Sequence, residues 1–146
     1  MIPLPRDFKE FLSLLHMNHV EYLLIGGYAV NYHGYPRATV DLDVWISTNV
    51  ENAHRVEAAL RQFGFKAPLE QILDPHTMLR MGVPPLRLEV LKTISGVDFP
   101  DCYQSRIEAD VDGVPVKIIS LADLLRNKKA SGRPKDLADI GELPLG

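Results

Sequence analysis

The sequence predicts an α+β fold in a single domain spanning residues 1–146. Three observations carry this: a short apolar run of strand length stopped by glycine, apolar residues at helical spacing over Phe8–Leu15 and Asn49–Phe63, and an Asp112-Gly113 pair between two extended segments. At 146 residues, 46% apolar and 24% charged, the chain is long enough for one core and too short for two full domains.

The elements follow in order. Phe8, Phe11, Leu12, Leu14 and Leu15 recur at helical spacing behind Pro3 and Pro5, with Asp7 and Glu10 near the positive end of the helix dipole, so an opening helix is expected. Tyr22-Leu23-Leu24-Ile25 is a short apolar run stopped by Gly26-Gly27, which favours a buried strand. A short helix from Tyr28 to His33 then ends at Gly34, before Pro36 forces an extended path. Thr39 to Ile46 is β-branched and aromatic with acids at alternate positions, a strand carrying two carboxylates on one face. Asn49 to Phe63 fits a second amphipathic helix, with Gly64 at its C-cap. Lys66 to Pro85 is poorly patterned and predicts a long mobile loop. Leu86 to Ile94 reads as a third strand, and Arg106–Val111 and Val114–Ile119 flank the Asp112-Gly113 hairpin turn. Ser120 and Asp123 have capping-box spacing and start a helix to about Ala130, closed by Gly132; Pro134 opens a last helix running to about Leu143.

Composition narrows function. A formal charge of −3 provides no overall positive field to draw the chain to nucleic acid or an anionic membrane, so any basic site must be local. One cysteine, Cys102, excludes an intramolecular disulfide and a multi-cysteine zinc site. The first residues have prolines and charges where a signal peptide needs an apolar core, and no apolar stretch is long enough to span a bilayer. The expectation is a cytoplasmic protein with no membrane contact. No GxxxxGK[ST] loop and no G-x-S-x-G occur, and the five histidines lack metal-ligand spacing, so P-loop, serine and zinc chemistry are unsupported.

The most informative feature is Asp41-Leu42-Asp43. Residues two apart on a strand share a face, so two carboxylates come to one place, and such anions are favourable together when a hard divalent cation sits between them. A solvated acidic edge is the plainer alternative. Gly26-Gly27, where a strand ends and a helix begins, allows a phosphate to approach the backbone without meeting a Cβ, or simply makes a tight turn. Glu89 interrupts an apolar strand and either joins a metal site as a third acid or pairs with Arg87 or Lys92. Arg126, Lys128, Lys129, Arg133 and Lys135 form the densest basic stretch; a lysine of this group, and Arg37 just before the acidic strand, are candidates for phosphate contact, against a solvated face. Trp45 belongs to the core, and His33 is either a substrate contact or a helix-end cap.

Taken together, LLIGGYAVNYHGYPRATVDLDVWI resembles the signature of the DNA polymerase β-like nucleotidyltransferase superfamily: Gly-Gly after an apolar run, then about a dozen residues, then Asp-x-Asp flanked by apolar positions. With the later KIISLADLLRNKKASGRPKDLADI, the chain is similar to the smaller group of minimal nucleotidyltransferases and AbiEii/MenT-type toxins of type IV toxin–antitoxin systems. The likeness runs from about Tyr22 to Leu143.

The resemblance implies a nucleotidyltransferase fold, a mixed twisted sheet with helices packed mainly on one face. It implies that Gly26 and Gly27 hold nucleotide phosphates and that Asp41 and Asp43 bind Mg²⁺, two ions being expected and Mn²⁺ the alternative. Glu89 falls at the family's third acid, usually Asp, and its extra methylene loosens the placement of the attacking hydroxyl. Lys128 matches a lysine that approaches the triphosphate, while Arg133 and Asp136 match a stretch read as structural pairing. The chain is also expected to lack the helical domain with which larger members hold an acceptor, so an antitoxin or helical partner protein is expected to supply it. The activity implied is Mg²⁺-dependent transfer of a nucleoside monophosphate from an NTP to a hydroxyl of RNA, protein or a small molecule. The alternatives are a non-catalytic regulator of the same fold that binds a partner protein, and an RNA-binding module using the basic stretch.

Overall fold

Helix α1, Arg6–Met17, buries Phe8, Phe11, Leu12 and Leu15, the stripe its sequence spacing predicts. A computed structural model describes residues 3–34, 41–83 and 86–144. Thirteen elements follow in the order α1, β1 (Tyr22–Ile25), α2 (Gly26–Tyr32), β2 (Asp41–Ile46), α3 (Val50–Phe63), α4 (Leu69–Leu73), β3 (Leu79–Met81), β4 (Arg87–Leu91), α5 (Phe99–Gln104), β5 (Ile107–Val111), β6 (Val114–Ile118), α6 (Leu121–Ser131) and α7 (Pro134–Glu142). The six strands form one mixed sheet in the order β3-β4-β2-β1-β6-β5. β2 runs antiparallel to β1 and parallel to β4, and β1 runs parallel to β6.

The α+β expectation is met, and most boundaries agree. Asn49 caps α3 by accepting from the Asn52 amide, and Gly64 ends that helix in the left-handed conformation at φ 102°. Ser120 caps α6 through the Asp123 amide, and Gly132 closes it. Asp112 and Gly113, at φ 52° and 85°, make the tight two-residue turn between β5 and β6.

Three differences have physical causes. The stretch expected to be a mobile loop contains α4 and β3, elements of five and three residues, too short to show a period. Tertiary contacts hold this region: Lys92, buried just after β4, donates from Nζ to Gln71 O, Asp74 O, Thr77 O and Thr77 Oγ1 at 2.6–3.0 Å. The short helix α5 was likewise not expected, although Asp98 caps it by accepting from the Asp101 amide. Helix α2 begins at Gly26 itself rather than at Tyr28, so β1 passes into a helix with no intervening turn. Thr39 and Val40, expected to begin the acidic strand, lie outside the described residues.

One hydrophobic cluster joins α1, α2, α3, β1, β2, β4 and β6. In β2, Leu42 and Val44 are fully buried in it, so the intervening Asp41 and Asp43 must point to the opposite face. Trp45 is core, as expected, and donates from Nε1 to Lys92 O. Among the described residues no helix is long and apolar enough to cross a membrane.

Candidate active site

Parallel pairing of β2 with β4 sets Asp41 opposite Arg87 and Asp43 opposite Glu89. Because side chains alternate along a strand, all four point to one face and form a square of three acids and one arginine. Antiparallel pairing extends the Glu89 row outward to Arg80 on β3 and the Asp43 row inward to Ile25 at the end of β1. The register thus gathers Asp41, Asp43 and Glu89, as the sequence leads one to expect.

The floor of the site depends on Gly26. At φ 67° it adopts a conformation costly for other residues, and a Cβ there would collide with Asp43 Oδ2. The glycine is what lets the carboxylate lie against the start of α2. Gly26 faces the cleft; Gly27 is buried in the first turn of α2.

The acids open into a cleft of about 680 Å³. Its far wall comes from α6, α7 and their connection, with Asn127, Lys128, Ser131, Arg133, Lys135 and Asp136; Met78, Leu91 and Ile94 give it an apolar side. Two guanidiniums hold the acids. Arg87 Nη2 donates to Asp41 Oδ2 at 2.7 Å, and its Nε lies 3.2 Å from Glu89 Oε1. Arg80 Nε donates to the same Glu89 oxygen at 3.1 Å. Both readings of Glu89 therefore hold geometrically: it stands beside Asp43 and it pairs with Arg87, while Lys92 is engaged elsewhere.

Among the described residues no such cation touches Asp43. Burial, the charge of Glu89, a hydrogen bond shared with it and the charge of Asp41 push its carboxyl up to about 7, with Lys135 acting weakly in the other direction. Among the described residues Asp41 Oδ1 and Asp43 Oδ1 are buried with no hydrogen-bond partner. Two orphaned carboxylate oxygens on one face, beside a third acid, are a donor set that suits a hard divalent cation. As the side chains stand, no three His, Cys, Asp or Glu groups among the described residues are arranged to hold one ion, and Glu89 Oε1 is turned to the two arginines. Asp41, Asp43 and Glu89 are thus of the residue type that Mg²⁺ takes, with Asp41 Oδ2 and Glu89 Oε1 held by arginine in this arrangement.

Lys128 lines the same cleft, but its ammonium is buried and paired at 3.1 Å with both Asp136 Oδ1 and Asp139 Oδ2. Arg133 and Ser131 also donate to Asp136 Oδ2, at 2.7 and 2.6 Å. Burial opposes the Asp136 charge, yet the hydrogen bonds from Arg133, Ser131 and Lys128 hold its carboxyl well below the ordinary range. Arg133 thus pairs with Asp136, the pairing that the resemblance implies, and also lines the cleft. Arg126 is exposed and pairs with Asp123. His33 stands at the C-cap of α2, one of its two expected places, and its Nε2 lies 2.8 Å from Ile119 O. Arg37 lies outside the described residues.

Sequence reasoning named Arg87 only as a pairing partner of Glu89 and did not single out Arg80. The spacing Arg87-Leu88-Glu89 carried the signal for the first, since i and i+2 share a strand face. Arg80 carried none, because its strand was not legible.

Three solved structures share this fold. A Thermotoga maritima protein assigned as a nucleotidyltransferase is 15% identical, with a TM-score of 0.67 over 93% of this chain and 89% of that one. The lincosamide antibiotic adenylyltransferase LnuA, solved with lincomycin bound, is 17% identical, with a TM-score of 0.64 over 99% of each chain. The antibiotic-resistance factor ANT(2'')-Ia is 16% identical, with a TM-score of 0.60 over 92% of this chain and 79% of that one. No curated protein matches the sequence. Residues 4–145 match the family described as nucleotidyltransferase of unknown function, DUF6036. With the acids, the glycine and the fold in agreement, the chain belongs to the DUF6036 nucleotidyltransferase family.

Proposed function

We propose that this chain transfers a nucleoside monophosphate from an NTP to a hydroxyl of an acceptor, with Mg²⁺, or Mn²⁺ in its place, held by Asp41, Asp43 and Glu89. The observation that carries the reading is the row of three carboxylates on one sheet face, two with orphaned buried oxygens, opening into a cation-rimmed cleft beside Gly26. When bound, the metal would neutralise charge on the triphosphate and on the entering hydroxyl. The chain's own groups supply the rest. Gly26 lets the Asp43 carboxylate lie at the cleft floor and brings the start of α2 towards the phosphates, with Gly27 behind it, while Lys135 and Arg133, the latter paired with Asp136, add positive charge to the cleft lining. Glu89 is the group that accepts the hydroxyl proton as the new P–O bond forms at the α-phosphorus and the bond to pyrophosphate breaks. A phosphate role for Lys128 requires its release from Asp136 or Asp139.

The acceptor is RNA, a protein or a small molecule. That LnuA was solved with lincomycin and ANT(2'')-Ia with an adenylylated tobramycin supports a small-molecule hydroxyl. The sequence likeness to AbiEii/MenT-type toxins supports RNA or protein instead, within a toxin–antitoxin pair that includes an antitoxin or helical partner. The test of the common step is calorimetric titration of NTP with and without Mg²⁺ on the wild type and on Asp41→Asn plus Asp43→Asn. Metal-dependent binding lost in the variant is expected; equal affinities throughout would exclude the metal–nucleotide site. A second reading, a non-catalytic regulator that binds a partner protein, is favoured by the two arginines on Asp41 and Glu89. No label transferred from any NTP to lysate or RNA, with a tight protein partner recovered, would select it.

A further inference from the structure

Arg87 shares its carboxylates with the place where a divalent ion would bind. Its Nη2 donates to Asp41 Oδ2, and its Nε lies 3.2 Å from Glu89 Oε1 as an ion pair without a hydrogen bond; among the described residues that Nε, the other oxygen of Asp41 and one of Asp43 are buried with no hydrogen-bond partner. On the sheet face, Arg87 occupies the fourth corner of the square completed by the three acids. A guanidinium there offsets the repulsion that three neighbouring carboxylates would otherwise suffer, and it competes for the oxygens a metal needs.

We propose that Arg87 is an exchangeable counter-ion, which leaves Asp41 and Glu89 when the divalent ion binds and transfers its guanidinium fork to the triphosphate of the incoming NTP. The proposal rests on the metal–nucleotide reading of the cleft and deepens it. Three features of the structure support the exchange. Arg87 lines the cleft itself and its side chain is about one-quarter exposed (27%), so it is not locked beneath the sheet. Its planar fork matches phosphate oxygens as well as it matches carboxylate. Glu89 keeps a second guanidinium in Arg80, whose side chain is 52% exposed, so departure of Arg87 does not strip the acid of every cation. The consequence is coupling in one direction: metal alone binds against Arg87, and metal with nucleotide binds with it.

The test separates these two steps. Mn²⁺ affinity without nucleotide, read by electron paramagnetic resonance, and affinity for a non-hydrolysable NTP in saturating Mg²⁺, read by calorimetry, are measured on wild type, Arg87→Gln and Arg87→Lys. With one adjacent positive charge removed, Arg87→Gln is expected to bind Mn²⁺ roughly tenfold more tightly, and with the phosphate fork lost, it binds the NTP at least about tenfold more weakly. Arg87→Lys keeps the charge and loses the fork, so its Mn²⁺ affinity stays near wild type while its nucleotide affinity falls. Opposite signs in Arg87→Gln support the exchange, whereas both affinities falling together, or neither moving, overturns it. A merely structural arginine would move both in one direction, and a thermal melt of each variant identifies unfolding as the cause. Wild-type Mn²⁺ binding that is absent, or unaffected by Asp41→Asn plus Asp43→Asn, overturns the metal site itself and this proposal with it.

Discussion

Gly26 and Asp43 occupy adjoining space with no room for one further carbon: a Cβ on the glycine would clash with the carboxylate oxygen Oδ2. The pairing of Ile25 with Asp43 across β1 and β2 brings this about, because the residue after Ile25 starts α2 directly beside the acid. Gly26→Ala is therefore expected to damage the site more than the fold. The left-handed φ of 67° costs about 1 kcal/mol for alanine, a fall of a few degrees in Tm, whereas displacement of Asp43 lowers Mn²⁺ affinity by about tenfold or more. Thermal melts beside Mn²⁺ titrations check both; a destabilised variant with wild-type Mn²⁺ affinity would show that Asp43 is not a ligand.

Asp43 makes metal-free stability depend on pH. Its folded value of about 7 lies above the ordinary value of 3.8, so its contribution is fully present below about pH 3.8 and is lost as pH rises through 7. Above that point the buried charge costs up to a few kcal/mol. Asp43→Asn, which removes the charge, is expected to melt higher than wild type at pH 8 and to lose most of that advantage as pH falls from 7 towards 4. Melting curves of both proteins in chelator across this range decide it, and a constant difference would mean Asp43 stays ionised throughout.

Asp136 has the opposite sign. Its carboxyl is held below the ordinary range by Arg133, Ser131 and Lys128 against the effect of burial, so its contribution is present above about pH 3.8 and is lost as pH falls below that. Wild type should lose stability between pH 4 and 2 more steeply than Asp136→Asn, measured by acid titration of helical circular dichroism.

Lys128 supports the wall of the cleft opposite the acids. Lys128→Met leaves Asp136 and Asp139 without the ammonium between them, in a place where both are almost fully buried. A cost of about 3–5 kcal/mol follows from breaking a buried pair on one side only, visible as a lower midpoint in urea. Lys128→Met together with Asp139→Leu should recover part of that loss.

Lys92 holds together the region around α4 and β3. Its ammonium satisfies three carbonyls and the Thr77 hydroxyl, so Lys92→Met is expected to cost about 2–4 kcal/mol by leaving buried acceptors unpaired. Faster amide exchange at Leu79–Met81 than in β1 would localise the effect, and Arg80 on that strand would lose its fixed position beside Glu89.

Local chemistry made much of this protein legible. The Gly64 and Gly132 stops, the Ser120 cap and the Asp112-Gly113 turn are decided by residues within a few positions of one another, and they lie where the sequence predicts. The alternation in β2 likewise determines that Asp41 and Asp43 share a face, because Leu42 and Val44 must be buried. The short elements α4, β3 and α5 have no period to read, and the region of α4 and β3 is held by a remote partner, Lys92.

By itself, then, the sequence determined the longer helices, the strands β1, β2, β4, β5 and β6, the shared face of the two aspartates and the resemblance to a nucleotidyltransferase, all consequences of near-neighbour spacing. Only the tertiary structure decided how the charges are distributed: Arg80 and Arg87 on the acids, and Lys128 with Asp136 and Asp139. The reason is physical. Strand register and helix docking bring together residues tens of positions apart, and a long basic side chain takes whichever carboxylate that assembly places within about 3 Å, a choice its sequence neighbours do not encode.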